Sequence, residues 1–133
     1  MKLYFKLFVL FFCFNSYAQV EQRFDDGLGK FVQRDYENAN IAFKDVIKLD
    51  PKNYEAYYYI GICNIRLKFY KEAITSFDKA IELNPKYPRA YYNRGVARFY
   101  LEDRFYGCID FKKAVELDPE YDEAKKSISE FCN

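Results

Sequence analysis

Four cysteines are the side chains of this chain best suited to nucleophilic or metal-binding chemistry. They are Cys13, Cys63, Cys108 and Cys132, and no two of them have the Cys-X-X-Cys spacing of a zinc knuckle or a thioredoxin-like site. The 133 residues include no histidine, so the side chain that titrates near neutral pH and the histidine-containing zinc patterns are both missing. We therefore expect no metal site, no cofactor site and no catalytic residues.

Two other patterns that could carry chemistry have simpler explanations. The Gly27–Gly29 segment resembles part of a phosphate-binding loop, but a third glycine and a preceding strand are both missing. Acids and bases such as Asp26 and Lys30 follow the four-residue spacing of a solvated helix face, which supports helices more often than catalysis. A small enzyme that depends on the Cys63 thiol or on carboxylates is the least favoured alternative.

The charge distribution gives no reason to expect a polyanionic partner. Residues 1–18 contain two lysines and no acid, which leaves 19 basic and 20 acidic residues in the remainder, a net charge of −1. A nearly neutral body has little electrostatic attraction for nucleic acid or for an anionic membrane surface. We expect neither as a partner.

The first eighteen residues have the three-part layout of a secretory signal peptide. A basic start precedes the apolar run 7–14, and Ser16 and Ala18 are the small residues that a signal peptidase reads. The run is shorter than the ~20 residues that a membrane-spanning helix needs. Phe12 is bulkier than the small residue that should precede a lipidated cysteine. We expect cleavage after Ala18, a mature protein without stable membrane insertion, and a periplasmic or extracellular location.

Seven sequence positions recur at an interval of 34 residues. The clearest are glycine, proline and phenylalanine columns: Gly27, Gly61 and Gly95; Pro51, Pro85 and Pro119; Phe43, Phe77 and Phe111. Such a period indicates a repeat architecture. The small residues allow two helices to approach closely, and each proline ends a helix because it cannot continue one. Apolar residues at helical spacing predict helices over about 20–33, 36–49, 54–67, 70–83, 88–101, 104–117 and 121–131.

These columns resemble the tetratricopeptide repeat. The second copy matches best, with Tyr57, Gly61, Ala73, Phe77 and Pro85. The resemblance implies an all-α, right-handed solenoid of three helix-turn-helix repeats at 20–53, 54–87 and 88–121, closed by a capping helix at 122–133. It also implies a role in protein recognition.

Distance from a hairpin turn predicts which side chains lie opposite each other on antiparallel helices. Arg94 and Asp110 are equally far from the turn near Glu102, so we expect an ion pair between them. Asp35 and Asp103 are placed to cap the second helices of their hairpins.

The same reasoning predicts a disulfide. Cys108 and Cys132 each lie twelve residues from Glu120, where the last helices turn, and export would supply oxidising surroundings. Two reduced, buried cysteines are the alternative. Cys63 has no equidistant partner, so we expect it to be a buried free thiol.

In the tetratricopeptide family the first helix of each repeat lines the inner curve of the solenoid. Carried over by register, the resemblance implies a protein-binding groove rich in aromatic and aliphatic side chains. Its expected lining is Phe24, Leu28, Tyr58, Tyr59, Ile62, Arg66, Arg89, Tyr92, Asn93, Val96 and Tyr100. The alternative is a purely structural role, in which several of these rings only pack against one another. The two arginines at the rim favour an acidic partner segment.

The resemblance also allows one known function to be tested. Cochaperone members of the family hold the C-terminal carboxylate of heat-shock chaperones with five polar or basic side chains. The corresponding residues here are Phe24, Leu28, Tyr59, Arg89 and Asn93, of which only Arg89 keeps the required character. That function is therefore excluded. From the resemblance and the signal-peptide layout we expect a non-catalytic interaction module or adaptor of the bacterial cell envelope that binds a peptide or helix of another protein. A self-associating structural module is the alternative.

Overall fold

The computed structural model describes the backbone of residues 1–132 and the side chains of Met1, Tyr4, Lys6 and residues 17–132. This part of the chain is all-α, with helices that we number in chain order. They are α1 (Lys2–Val32), α2 (Tyr36–Leu49), α3 (Tyr54–Arg66), α4 (Tyr70–Leu83), α5 (Pro88–Tyr100), α6 (Arg104–Leu117) and α7 (Asp122–Phe131). Consecutive helices pack on one another as a helical solenoid, and α3 also contacts α5.

The ends of α2 to α7 lie within one residue of the ranges that the sequence predicts. Helix α1 differs, because it begins at Lys2 and not near residue 20. The residues before Gly27 include no glycine or proline, so nothing in the uncleaved chain interrupts the backbone hydrogen bonds of this helix. The side chains of the apolar run, Cys13 included, lie outside the described residues. No helix in the described part is long and apolar enough to cross a membrane.

Side-chain caps begin three of the helices. Oδ1 of Asp35 accepts the backbone N–H of Asn38 at 3.3 Å, and Oδ1 of Asp103 accepts that of Tyr106 at 3.5 Å. Both caps confirm the sequence prediction, and Asn53 makes a third at 2.9 Å to Ala56. Each of these bonds satisfies a backbone donor that has no partner inside its helix.

The hairpin turns share a left-handed residue. Arg34, Lys68 and Glu102 have φ angles of 63°, 64° and 62° and are spaced by 34 residues. This conformation ends the first helix of each hairpin and reverses the chain. It is unfavourable for residues with a side chain, so the turns are held by the packing of the helices that they connect.

The core is built on contacts between the glycine and phenylalanine columns. Phe43, Phe77 and Phe111 are buried on α2, α4 and α6, each directly against a glycine of the preceding helix. A Cβ atom built on Gly61 would lie 2.6 Å from Cε1 of Phe77. The glycines are therefore required by the distance between the two helices of each hairpin.

The predicted disulfide and the predicted free thiol are both present. Cys108 on α6 is bonded to Cys132 at the end of α7, with a Cα–Cα distance of 5.6 Å, and Cys63 is a buried free cysteine. The bond attaches the closing helix to the third repeat. Because it closes a loop of about 24 residues, it restricts the unfolded chain.

The predicted ion pair belongs to a four-residue network that joins the second and third repeats. Arg94 Nη2 contacts Asp110 Oδ1 at 2.7 Å, and Arg98 Nη1 contacts Asp110 Oδ2 at 2.6 Å. Arg94 Nη1 also reaches Asp78 on α4 at 2.6 Å. Burial disfavours the charge on Arg94, but the hydrogen bonds and charges of Asp110 and Asp78 outweigh it and raise the Arg94 pKa. The buried Asp110 carboxylate is thus matched by two guanidinium groups.

Candidate functional site

Tyr58 lies at the centre of the expected groove and is held there by its neighbours. Its ring centroid is 6.0 Å from that of Phe77 and 5.1 Å from that of Tyr87. Its hydroxyl accepts a hydrogen bond from Asn93 Nδ2 at 3.3 Å, which ties α3 to α5. Burial raises the pKa of the Tyr58 hydroxyl, so it stays protonated at neutral pH and can donate to a ligand.

Tyr59, in contrast, packs into the interface between the first two repeats. It stacks on Phe43 at 5.0 Å and makes edge contacts with Phe24 at 5.7 Å and Phe31 at 5.5 Å. Phe24 and Leu28 pack against the same buried cluster. Tyr59, Phe24 and Leu28 therefore pack within the protein, which is the alternative to a role in binding.

On α5, Tyr92 and Asn93 contribute to two different contacts. The Tyr92 ring lies 5.4 Å from Phe111 and 5.1 Å from Tyr121, so it connects the core to the turn before α7. Asn93 Nδ2 also donates to the Arg89 carbonyl at 2.9 Å. Both residues are half-buried and therefore support the surface around Arg89.

The remaining groove residues lie farther along the helices. Ile62 packs on the central core and Val96 is half-buried. Arg66 and Tyr100 are exposed at the last residues of α3 and α5, and Tyr100 stacks on Tyr70 of α4 at 4.5 Å. Eight residues separate Tyr58 from Arg66, a rise of about 12 Å along a helix. The expected lining is therefore spread over the length of the helices.

A cleft of about 390 Å³ opens beside Tyr58 at the starts of α5 and α7. We call it the Arg89 cleft. Its lining is Tyr58, Pro88, Arg89, Asp118, Glu120, Tyr121 and Glu123. Only Tyr58 and Arg89 of these residues are expected from the sequence. Tyr121, which lines the cleft, precedes α7 and lies 34 residues after Tyr87, which precedes α5. This shared spacing was the signal that could have revealed Tyr121.

The Arg89 cleft is lined by one basic and three acidic side chains. Arg89 is exposed and makes no ion pair with any described residue. Burial raises the pKa values of Tyr58, Tyr87 and Tyr121, and the positive charge of Arg89 partly offsets that rise. Around it lie three carboxylates, of which Asp118 accepts the backbone N–H of Glu120 at 3.1 Å. Glu120 and Glu123 are exposed and make no ion pair within the described residues. The cleft can thus accept both a hydrogen-bonding segment and a positive charge.

Comparison with known proteins identifies one repeat in the sequence and the fold of the chain. A family model described as a TPR repeat matches residues 68–101, which take in α4 and α5. A comparison with curated protein sequences gives no match. Among solved structures, the first TPR of Spaghetti (RPAP3) bound to the HSP90 peptide SRMEEVD is 26% identical, with a TM-score of 0.84. The match covers 86% of this chain and 91% of that one. Residues 68–101 thus match a tetratricopeptide repeat, and the described chain has the tetratricopeptide fold.

Two further tetratricopeptide structures match over nearly their whole length. The second TPR domain of human RPAP3, in complex with the HSP70 peptide SGPTIEEVD, is 25% identical with a TM-score of 0.84; 89% of this chain and 98% of that chain are covered. The Arabidopsis OM64 TPR domain is 23% identical with a TM-score of 0.86, over 88% and 97% of the two chains, and shows the shared fold. The all-α tetratricopeptide fold predicted from the repeat columns is therefore confirmed.

The free thiol of this tetratricopeptide protein is poorly suited to catalysis. Burial raises the pKa of the Cys63 thiol to about 12, whereas the reactive form of cysteine is the thiolate. The described residues include no cluster of three or more cysteine and carboxylate side chains that could hold a metal ion. Of the residues expected to line the groove, Tyr58 and Arg89 lie together in the Arg89 cleft.

Proposed function

We propose that this tetratricopeptide protein is a non-catalytic interaction module of the bacterial cell envelope. In this proposal the Arg89 cleft and the adjoining surface of α3 and α5 bind an extended segment or a helix of another protein. The supporting observation is the pair of exposed carboxylates, Glu120 and Glu123, which make no ion pair within the described residues and lie beside Tyr58 and Tyr121 in this cleft. Two similar structures hold peptides, which supports a peptide as ligand.

The charges of the cleft suggest what the partner segment contains. Arg66 and Arg89 alone favour an acidic partner, but three carboxylates surround Arg89 in the cleft. Since Glu120 and Glu123 are exposed and unpaired within the described residues, a basic side chain would gain more there than an acidic one. Tyr121 offers a ring that a lysine or arginine could also contact. We therefore propose a segment with at least one basic residue.

Chaperone tails fit this protein poorly. The peptides in the two RPAP3 structures end in the acidic sequence EEVD. At the corresponding carboxylate-binding positions this chain has Phe24, Leu28 and Tyr59, which pack into the interface between the first two repeats. An apolar, half-buried cluster provides no donors for a terminal carboxylate.

Charge reversal in the cleft tests the proposed function. The purified protein is used to capture partners from an envelope fraction, and the affinity for the captured partner is measured for each variant. Glu123→Lys should weaken binding by more than about 1 kcal/mol, while Arg89→Glu should leave it unchanged or strengthen it. The aromatic residues are poorer test sites, because Tyr58 and Tyr92 contact Phe77 and Phe111, and truncation would disturb the core.

Lys79→Ala and Lys113→Ala are the matched controls for this measurement. Both lysines are on second helices, outside the cleft, and pair with Glu82 and Glu116 of the same helix. These substitutions should not change the affinity. The proposal would be wrong if they abolished binding while both cleft variants bound normally. Weaker binding by Arg89→Glu alone would instead show an acidic partner.

Self-association is the alternative function, and light scattering over a concentration series distinguishes it from hetero-binding. A thiol-dependent enzyme is less favoured still, and the reactivity of Cys63 tests it. A thiol reagent that leaves the native protein unlabelled would exclude that enzyme.

The proposal that this is an exported protein rests on the signal-peptide layout of residues 1–18. We expect a mature protein that begins at Gln19, whose new N-terminus can cyclise. Intact-mass measurement of the exported protein decides this. A species that retains Met1–Ala18, or one lipidated at Cys13, would show that the leader was misinterpreted.

A further inference from the structure

Helix α7 is held on the third repeat by little buried apolar surface. Of its ten residues, all within the described part of the chain, only Ala124 and Ser127 are buried, and both side chains are small. Phe131 packs on Phe99 of α5 at a centroid distance of 5.5 Å, but Phe131 is still 45% exposed. An element with so few buried apolar contacts separates from its protein at a low cost in free energy. Burial alone therefore holds α7 weakly.

The Cys108–Cys132 disulfide is the covalent attachment of this helix. It joins α6 to the C-terminal end of α7 across a sequence separation of 24 residues. With the bond intact, an undocked α7 stays tethered at both ends, because the chain also continues from α6 through Asp118. Without the bond, the helix is tethered at its start alone and gains more conformational entropy when it undocks. Reduction of the disulfide therefore favours release of α7.

The other end of α7 belongs to the Arg89 cleft. Glu123 and the preceding residues Glu120 and Tyr121 line this cleft together with Tyr58 and Arg89 of the preceding repeats. Glu123 lies nine residues before Cys132, a rise of about 14 Å along a helix. Because a short helix forms and melts as a cooperative unit, undocking at the disulfide end would also withdraw Glu123 and Tyr121 from the cleft.

The disulfide is accessible to reagents in the folded protein. Cys108 and Cys132 are half-buried and line a shallow surface site of about 300 Å³ on α6 and α7. Arg104 and Lys112 line the same site. Their positive charges favour an approaching thiolate, which is the form of a thiol that attacks a disulfide. A thiol can therefore reach this bond without unfolding of the core.

We propose that the Cys108–Cys132 disulfide is a redox switch for the Arg89 cleft. In the oxidised protein α7 is docked and the cleft is complete, whereas reduction by a dithiol releases α7 and takes the cleft apart. This inference rests on the proposed function, in which the cleft binds a partner segment. It adds a condition to that function, because the cleft is complete only in the oxidising surroundings in which a disulfide persists.

The exchange reaction needs no reactant other than the dithiol. One thiolate of the dithiol attacks Sγ of Cys108 or Cys132, and the other cysteine sulfur leaves as a thiolate that takes up a proton. The second thiol of the reagent, as a thiolate, then attacks the mixed disulfide and displaces the first cysteine sulfur. The dithiol ends as a disulfide, and two electrons and two protons have passed to Cys108 and Cys132.

Hydrogen exchange of the purified full chain tests whether reduction releases α7. Dithiothreitol is the dithiol used, without denaturant, and mass spectrometry follows the backbone amides of Asp122–Phe131. We expect these amides to exchange on the order of a hundredfold faster after reduction, the factor that corresponds to closing a loop of this length. The amides of α4 should keep their protection. Alkylation of the reduced, folded protein should label Cys108 and Cys132 and leave the buried Cys63 unlabelled.

Two variants are the controls for this measurement. Cys108→Ser/Cys132→Ser should exchange like the reduced protein and should not respond to dithiothreitol. Lys126→Ser changes a side chain of α7 that is 74% exposed and keeps the disulfide, so its exchange should match that of the oxidised protein. The proposal is wrong if the bond resists dithiothreitol in the folded protein or if α7 stays protected after reduction. It is also wrong if α4 loses protection together with α7, since the bond would then stabilise the whole fold.

The affinity for the protein captured in the charge-reversal experiment tests the link between α7 and the cleft. Cys108→Ser/Cys132→Ser should bind that protein at least about tenfold more weakly than the oxidised protein does, because only molecules with α7 docked are competent. Equal affinities would overturn the switch. If Glu123→Lys leaves binding unchanged, the proposed function fails, and hydrogen exchange still decides whether the bond controls α7.

Discussion

Replacing Asp110 with alanine is expected to destabilise the protein by about 3–5 kcal/mol. The Asp110 carboxylate is almost completely buried and contacts Arg94 and Arg98 at 2.7 and 2.6 Å. Among the described residues, its removal leaves Arg98 with no ionic partner and Arg94 with only the more exposed Asp78. Two guanidinium groups that are mostly withdrawn from water would then be incompletely compensated. Chemical denaturation gives the free energy of unfolding.

Asp78→Ala is the matched control for Asp110→Ala. Asp78 contacts the same Arg94 at 2.6 Å, but its side chain is 52% exposed. Exposed ion pairs contribute about 0–1 kcal/mol, so this variant should lose little stability. Equal losses for the two variants would contradict the conclusion that burial of Asp110 makes the network important.

Replacing Gly61 with leucine is expected to cost at least about 1–3 kcal/mol through overpacking. A Cβ atom at this position would lie 2.6 Å from Cε1 and 2.7 Å from Cζ of Phe77, so the ring or the helix would have to move. Chemical denaturation measures this loss as well. Lys68→Leu is an unsuitable control because Lys68 has a φ of 64° at a hairpin turn.

Helix α1 supplies a better control, with two glycines on different faces. A Cβ atom on Gly27 would meet Phe43 Cε1 at 2.7 Å, whereas one on Gly29 would meet nothing within 4 Å. Gly27→Ala should therefore destabilise the protein. Gly29→Ala should be neutral, or stabilising by up to about 1 kcal/mol from helix propensity. If the two substitutions had the same effect, the glycine column would not be a packing requirement.

The periodic features of the fold could be predicted from the sequence because each is repeated. The helical spacing of apolar residues predicted the ends of α2 to α7 to within one residue. Equal distance from a turn identified both the Arg94–Asp110 pair and the Cys108–Cys132 disulfide. Arg98 and Asp78 were missed as further partners. Arg98 lies one helical turn beyond Arg94, and Asp78 belongs to the preceding repeat, so neither is found by comparing equidistant positions in one hairpin.

The binding surface could be predicted only in part, because register gives the helix on which a residue lies but not the rotation of its side chain. Adjacent residues Tyr58 and Tyr59 show the difference. Tyr58 lines the Arg89 cleft, while Tyr59 packs against Phe43. The carboxylates of the cleft were missed because they belong to the turn before α7 and to the start of α7, whereas the prediction considered the first helices alone.

The measurement that tests the binding site most directly is site-specific photo-cross-linking in the cell envelope. A photoreactive phenylalanine analogue replaces Glu123 in the Arg89 cleft in one variant, and Lys79 on α4 in the other. We expect position 123 to cross-link to a different protein, which mass spectrometry identifies, and position 79 not to do so. Capture of that protein from position 79 but not from position 123 would contradict the assignment of the Arg89 cleft as the recognition site.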